Sequence, residues 1–420
     1  MGRTGISYKN NTMTYFPRIA IEYADTPAID AFNRLRTSSP ESVFDSQFTY
    51  NLNPLVYEAV TANSGATVTH DASNRMAVMG FSGTTTGGKA FMQTYDAFRY
   101  QPGKSQLIYI SFNFLSTSTN TLKFAGYSDG SNGIEFQQSG STLQFTLLSD
   151  TSLGDETIEQ TNWNLDKLDG TGSSGVTLDI TKTNILVIDM QALYAGRVRI
   201  GFDIDGIIIY AHEFTHSNTS AYPFIQSANL PIRAGMTCTG TVTTTMNFIC
   251  SSVISEGGAE EVSARIFTTE GTVTAGSGAR THVLSVRPKT TFNSITNRIK
   301  FDLDSINILV TGANPVFWEL CIGQAISGTT TFGDVNATYS GFEFNTLGTI
   351  SGSPTLVIAA GYTQAGGANG GQISRNLISR YPITLDAAGA VRALGTLSLI
   401  ATGITGTSAM RGSIGWKEIR

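Results

Sequence analysis

Charge is what this 420-residue sequence has least of. Lys and Arg number 27 and Asp and Glu 32, together 14% of the chain, against about a quarter in an average soluble protein. The net charge is −5. A chain so sparsely and evenly charged lacks the basic face that duplex DNA or RNA requires, so no nucleic-acid partner is expected. Cysteine is as scarce. Cys238, Cys250 and Cys321 form an odd set without a C-x-x-C pair, which excludes a disulfide framework and a zinc or thiol-redox motif. Cys238 and Cys250 are close enough in sequence to fall on neighbouring strands, and their bonding state is left open. Long apolar runs are missing too. Ile207–Ala211 is among the longest and is far too short to span a bilayer, so no membrane insertion is expected. Met1–Ile6 has no apolar core of a signal peptide, and Ile6 stands where myristoylation needs Ser or Thr. Synthesis in the cytosol follows, with any exit from the cell by a route other than secretion.

What is there is glycine, at 44 residues, and apolar side chain, at 40%. That suffices for real cores and excludes wholesale disorder. The apolar residues alternate. Val198, Ile200, Phe202 and Ile204 predict one strand face, and Arg197, Arg199, Asp203 and Asp205 the other. Asp205-Gly206 predicts a tight hairpin, with Ile207 to Phe214 as the returning strand. Leu107 to Phe114, Leu143 to Leu148 and Ile185 to Met190 predict further strands, and Tyr127 to Gly133 a turn cluster. Later, Ile299, Phe301 and Leu303 alternate with Lys300, Asp302 and Asp304, and Ile306, Ile308 and Val310 follow. No long amphipathic helix is visible and no repeat of 20–50 residues. The fold class is therefore all-β: an extended N-terminal arm followed by two β-sandwich domains of jelly-roll or concanavalin type.

Residues 1–45 read differently from the rest. Pro17, Pro27 and Pro40 interrupt a scatter of apolar residues that holds no period, which predicts an extended arm attached to another subunit or partner. Residues 46–254 form the first sandwich. The acidic, glycine-bearing stretch 255–261 is the linker, and 262–420 form the second sandwich. Gly366 to Gly371 predicts a loop. Leu397 to Leu399 and Ser413 to Lys417 predict a closing hairpin.

His212-Glu213-Phe214-Thr215-His216 matches H-E-x-x-H. That zinc signature works on a helix, where residues four apart are about 6 Å from each other. Here it continues a strand, where residues four apart stand roughly 13 Å apart, too far to share one ion. His212 is instead expected to share a sheet face with Tyr210 and Phe214, with Glu213 turned away. Phosphate loops and nucleophile elbows are absent. The acidic pairs Asp155/Glu156, Asp203/Asp205 and Glu260/Glu261 read as solvated charge. Asp129 to Gly133 reads as a tight turn rather than a calcium loop. Tyr222 and Phe224, around Pro223, are candidates for stacking on a sugar or filling a partner pocket, with core packing as the alternative. No catalytic residue, metal ligand or cofactor is expected.

Phe32-Asn33-Arg34-Leu35-Arg36-Thr37-Ser38-Ser39-Pro40-Glu41-Ser42-Val43-Phe44-Asp45 resembles a segment near the N-terminus of tailed-bacteriophage virion proteins, which runs Phe-Gly-Arg-Leu-Arg-Val-Ser-x-Pro-x-Thr-Leu-Phe-Asp. Gly196 to Phe202, His212 to Phe214, Asn229 to Arg233 and Trp416 to Arg420 resemble the body and end of the same proteins. The resemblance implies a non-enzymatic structural protein of the virion with a lectin-like or jelly-roll body. It places Phe32, Arg34, Leu35, Arg36, Pro40, Phe44 and Asp45 in the arm that binds other virion proteins of the tail, portal, collar or capsid. It also implies a homo-oligomer. The reading is a fibre-like appendage of tail, collar or baseplate that contacts host surface polysaccharide. The alternatives are a capsid decoration protein and a virion-associated carbohydrate-active enzyme.

Overall fold

A computed structural model describes residues 39–191, 193–227, 229–257, 264–365 and 381–420. Among these residues the chain is almost wholly strand, and the helical turns are two short 3₁₀ pieces, Gln160–Asn162 and Ala393–Gly395. No described helix is long and apolar enough to cross a membrane.

The first body is a sandwich of two antiparallel sheets. Its strands in chain order are β1 (Pro40–Gln47), β2 (Tyr57–Ala62), β3 (Ala66–Asp71), β4 (Met76–Thr84), β5 (Lys89–Thr94), β6 (Ser105–Asn113), β7 (Thr121–Ser128), β8 (Gly133–Ser139), β9 (Thr142–Leu148), β10 (Glu156–Glu159), β11 (Asn184–Gln191), β12 (Val198–Ile204), β13 (Ile207–Phe214), β14 (Ile232–Cys238) and β15 (Val242–Glu256). One sheet runs β13-β12-β11-β6-β15-β4-β3, with β1 paired to the C-terminal half of β15. The other runs β10-β9-β8-β7-β14-β5-β2. Alternation explains the sandwich. Ile108, Ile110 and Phe112 from one sheet meet Ile134 and Phe136 from the other, all fully buried. Phe112, Phe114, Phe136, Phe145, Trp163 and Phe202 close the core as an aromatic cluster, with Phe145 stacked on Trp163 at 4.2 Å.

The β12–β13 hairpin forms where the sequence places it. Val198, Ile200 and Phe202 are buried, and Asp205 and Gly206 both take positive φ, +54° and +84°. Those dihedrals make the turn that Asp-Gly favours, because glycine has no Cβ to clash there.

The second body is a smaller sandwich. Its three-stranded sheet joins β16 (Arg265–Ala275), β25 (Ser408–Ile419) and β18 (Lys300–Val310) in that order. This packs on a six-stranded sheet built on β21 (Phe342–Asn345), β17 (Thr281–Pro288), β24 (Leu397–Gly403), β19 (Val316–Ile322) and β23 (Leu356–Thr363), with Gly333–Asp334 at the far edge. A hairpin of β20 (Ala325–Gly328) and β22 (Gly348–Ser351) lies beside it. Trp318 and Trp416 anchor the core between the sheets.

Four expectations change. Pro40, Phe44 and Asp45 do not belong to a free arm. They lie in β1, which pairs antiparallel with β15 from Pro40↔Glu256 to Gln47↔Cys250. Phe44 packs its ring on Phe98 at 4.5 Å and on Tyr57 at 6.3 Å. The reason is physical: β15 is 15 residues long, β4 covers only its first half, and the remaining backbone donors and acceptors need a partner. Ser255 and Glu256 likewise belong to β15 rather than to a linker. Leu397–Leu399 and Ser413–Lys417 do not form a hairpin. Their strands, β24 and β25, are consecutive but lie in opposite sheets, because the intervening turn crosses the sandwich. The fourth change concerns Tyr210 and follows below. Phe32, Arg34, Leu35 and Arg36, the acidic pair 260–261 and the 366–371 stretch lie outside the described residues.

Candidate functional site

The H-E-x-x-H residues lie on β13 and just beyond it, on a strand as expected. The faces differ from expectation. Ile200 pairs with His212 but Gly201 with Tyr210, so Ala211 is an extra, bulged residue. The bulge reverses the alternation. His212 and Phe214 face inward, their rings 4.7 Å apart, while Tyr210 joins Arg199 on the outer face. Gly201 sits opposite the bulge, where a Cβ would lie 2.1 Å from the Ile209 carbonyl oxygen. Each histidine has structural partners. His212 Nδ1 accepts the Asn164 backbone N–H at 3.3 Å. His216 bonds Glu156 at 3.0 Å and stacks on Phe224 at 4.8 Å. Phe224 is therefore core, and Tyr222 alone of that pair is exposed. Among the described residues no group of His, Cys, Asp and Glu is placed to hold a metal ion.

Burial pushes the His212 imidazole down to about 4. The unfolded chain, at an ordinary value near 6.5, takes up that proton first as pH falls, so this contribution to stability is complete above about pH 6.5 and is lost towards pH 4. Between pH 7.5 and pH 5, wild type is expected to lose about 2 kcal/mol more than His212→Asn, which keeps an acceptor for Asn164. Denaturant midpoints at the two pH values measure it. An equal loss in both proteins would refute the assignment.

Two polar arrays lie on the outer faces of the first body. On the β13 side, Asp189 accepts the Tyr210 hydroxyl at 3.0 Å, the Ser105 hydroxyl at 2.9 Å and the Arg199 guanidinium, which also lies over the Tyr210 ring. On the other sheet, Glu135 is nearly buried. Its Oε1 accepts the Ser128 hydroxyl and its Oε2 the Gln137 amide at 2.8 Å. Gln137 in turn accepts Gln144 and Thr146 at 2.8 and 2.9 Å. Beside this ladder the Arg233 guanidinium lies over Phe91 and Phe124, at 4.2 and 5.0 Å. Gly130 takes φ +92°, in the left-handed region that favours glycine, beside the Arg233 guanidinium.

The turn 129–133 is a turn, as its composition predicts. Asp129 Oδ1 accepts the backbone N–H of Ser131 and Asn132 at 2.9 and 2.8 Å. It also forms one wall of a cleft where the two bodies meet. The wall from the first body comprises Asp129, Ser131, Asn132, Asp150, Gln226 and Ser227. The wall from the second comprises Ser294 to Thr296, Arg298 and Ala387 to Gly389. Asn132 Oδ1 accepts Gln226 N–H at 2.8 Å and fixes the loop before β14. Arg298 donates to the Asp386 carbonyl at 2.8 Å, and its own carbonyl accepts Asn229 Nδ2 at 3.3 Å. Desolvation lowers the pKa of Arg298, while Asp129, Asp386 and Glu58 oppose that shift. The joint continues through Glu58, which accepts the Ala387 N–H at 2.7 Å, and through Arg392, seated 3.5 Å over the Tyr95 ring. Burial raises the carboxyl pKa of Glu58. Sequence reading missed this cleft. Its only visible signal was the turn cluster at 129–133.

No family model matches the sequence, and no curated protein does. Solved structures resemble it distantly. A putative beta-glucanase from Mycobacterium abscessus gives a TM-score of 0.35 at 12% identity, over 51% of this chain and 100% of its own. A glycosyl hydrolase family 16 protein from Mycobacterium smegmatis gives 0.33 at 14%, over 51% and 100%. Winged bean acidic lectin, solved with methyl-alpha-D-galactose, gives 0.32 at 11%, over 52% and 99%. Likeness at this level carries no argument about what the chain does.

Proposed function

We propose that this chain is a non-enzymatic structural protein of a tailed-phage particle, a tail, collar or baseplate appendage anchored through residues 1–38, whose β bodies meet host-surface saccharide. The particle role rests on the resemblance around Arg34, Leu35 and Arg36. One structural observation supports the non-enzymatic part as far as the H-E-x-x-H run goes: His212 and His216 already hold structural partners.

Placement of β1 sharpens the test. Deleting residues 2–38 is expected to leave a folded chain that no longer joins particles. Deleting 2–45 removes most of β1 and the Phe44 packing as well, and is expected to lower stability by about 2–4 kcal/mol. Quantitative mass spectrometry of particles and denaturant unfolding read the two effects. Normal occupancy of the shorter deletion would refute the anchor. A low copy number set by the symmetry of a tail ring is the expected result for a tail appendage; a number that follows the capsid surface would make it a capsid decoration protein, and turnover of host polysaccharide would make it an enzyme.

A further inference from the structure

A sheet that does not close ends in strands whose outer backbone groups are open to pairing, and this chain guards most of its edges. On β13 the guard is a loop: Asn164 Oδ1 accepts the Glu213 N–H at 2.9 Å, and its Nδ2 donates to the Glu213 carbonyl at 3.0 Å. Elsewhere it is charge. β1 carries Pro40, Glu41 and Asp45, β2 carries Glu58, and β10 carries Glu156 and Glu159. β3 ends in His70 and Asp71, β16 carries Arg265 and Glu270, and β18 carries Lys300, Asp302, Asp304 and a bulge. Asp334 stands at one edge of the six-stranded sheet. The strand at the other edge, β23, is different. It reads Leu356-Val357-Ile358-Ala359-Ala360-Gly361-Tyr362-Thr363, without a charge or a proline. β19 pairs with one side of it, from Ile322↔Leu356 to Val316↔Thr363, and among the described residues no strand pairs with the other. Ile358 is the extra residue of a bulge, so Val357, Ala360 and Tyr362 stand opposite Cys321, Glu319 and Phe317 on one face. All three are exposed, Val357 by 41% and Tyr362 by 73%. The Tyr362 ring leans on Phe317 at 5.0 Å.

We infer that β23 is a seam between two copies of this chain, paired antiparallel about a two-fold axis so that their six-stranded sheets join into one. A row of open N–H and C=O groups is answered by another strand. Neutrality selects which strand. A charged partner would bring its charge against Val357 or Tyr362 with no opposite charge on β23 to meet it. Every other edge strand of the large sheets carries a charged residue, so the matching strand is β23 of a second copy. Antiparallel pairing sets the Val357 end of each strand against the Tyr362 end of the other. Ala359 and Ala360 fall in the middle, where small side chains leave the approach open. Two-fold pairing uses both free edges at once, so the assembly closes as a dimer and does not grow into a fibre. A seam of one strand pair is smaller than the roughly 1,600 Å² of a standard interface, so it forms at high local concentration. The inference concerns the second body alone and does not depend on the particle role.

The test is sedimentation velocity of the full-length protein from about 5 to 500 µM, a range set by the small seam. Wild type is expected to pass from monomer to dimer. Ala360→Lys brings two ammonium groups together at the seam and is expected to associate at least tenfold more weakly. Its own sheet accommodates the change, because Ala360 is exposed and stands opposite Glu319, so its melting temperature in dilute solution is expected to match wild type. Tyr362→Lys, at the other end of the strand, is expected to weaken association as well and gives a second, independent reading. Thr272→Lys, exposed on the charged edge strand β16, is expected to dimerise as wild type. A wild type that stays monomeric at the highest concentration would overturn the inference, as would equal association of wild type and both β23 variants. A trimer or an open polymer would overturn the two-fold seam. Lowered melting temperatures of both β23 variants with no change in mass would show instead that the edge is covered within its own chain.

Discussion

Lys123→Met is expected to destabilise the first body by about 3 kcal/mol. Lys123 lies on β7 with its side chain fully buried, and its ammonium donates to the carbonyl oxygens of Phe114, Ser116 and Thr245 at 2.5, 2.8 and 2.9 Å. Thr245 belongs to β15, in the opposite sheet, so one charge stitches the two sheets together. Burial pulls the ammonium down to about 8, which still leaves it mostly charged at neutral pH. Hydrogen bonds from a charged donor contribute about 1.5–3 kcal/mol each, and three on one group do not add fully. Methionine fills a similar volume and recovers part of the loss by apolar burial. Guanidinium unfolding at pH 7 measures the difference. A change below about 1 kcal/mol would mean that the carbonyls find other donors and that Lys123 is not the stitch.

Glu418→Ala is expected to cost about 4 kcal/mol in the second body. Glu418 is fully buried on β25. Its carboxylate accepts from the Ser340 hydroxyl at 2.5 Å, Gly341 N–H at 3.1 Å, Arg420 at 2.9 Å and the Trp416 indole at 3.4 Å. Removing one partner of a buried ionic cluster leaves donors and a guanidinium unanswered, a loss of about 3–5 kcal/mol. Glu418→Gln keeps an acceptor and is expected to lose about half as much. Of the three tryptophans, Trp318 and Trp416 lie in this body, so fluorescence-detected unfolding follows it. Equal stability of Glu418→Ala and wild type would show that the cluster carries no net stabilisation. The same cluster gives a physical reason for a Trp-x-Glu-x-Arg ending: indole, carboxylate and guanidinium meet at one buried point.

Strands were legible wherever a single face is buried, because burial of one face imposes a period of two on the apolar residues. Leu107 to Phe114 is the case: Ile108, Ile110, Phe112 and Phe114 are fully buried while Leu107, Tyr109 and Ser111 between them are half-exposed. Where alternation breaks, the sequence carries the break but not its meaning. Ile299, Phe301 and Leu303 are buried at odd positions and Ile306, Ile308 and Val310 at even ones, because Asp304 is bulged out of register between Leu303↔Trp416 and Ser305↔Gly415. The bulge at Ala211 reversed Tyr210 without any such signal, since Ile207 to Ile209 are apolar throughout.

By itself, then, the order of residues determined that this chain is built of strands, which face turns inward where apolar and polar residues alternate without a bulge, and that Asp205-Gly206 reverses the chain. These follow from local dihedrals and from a period that short-range pattern must obey. Partnership was decided only in three dimensions. Whether β24 pairs with its successor, whether Pro40 to Gln47 hangs free or completes β15, and whether Asp129, Asp150, Asn229 and Arg298 share a cleft all depend on which distant backbones and surfaces come to lie side by side. No spacing along the chain encodes that, because contacts between sheets and between bodies have no period.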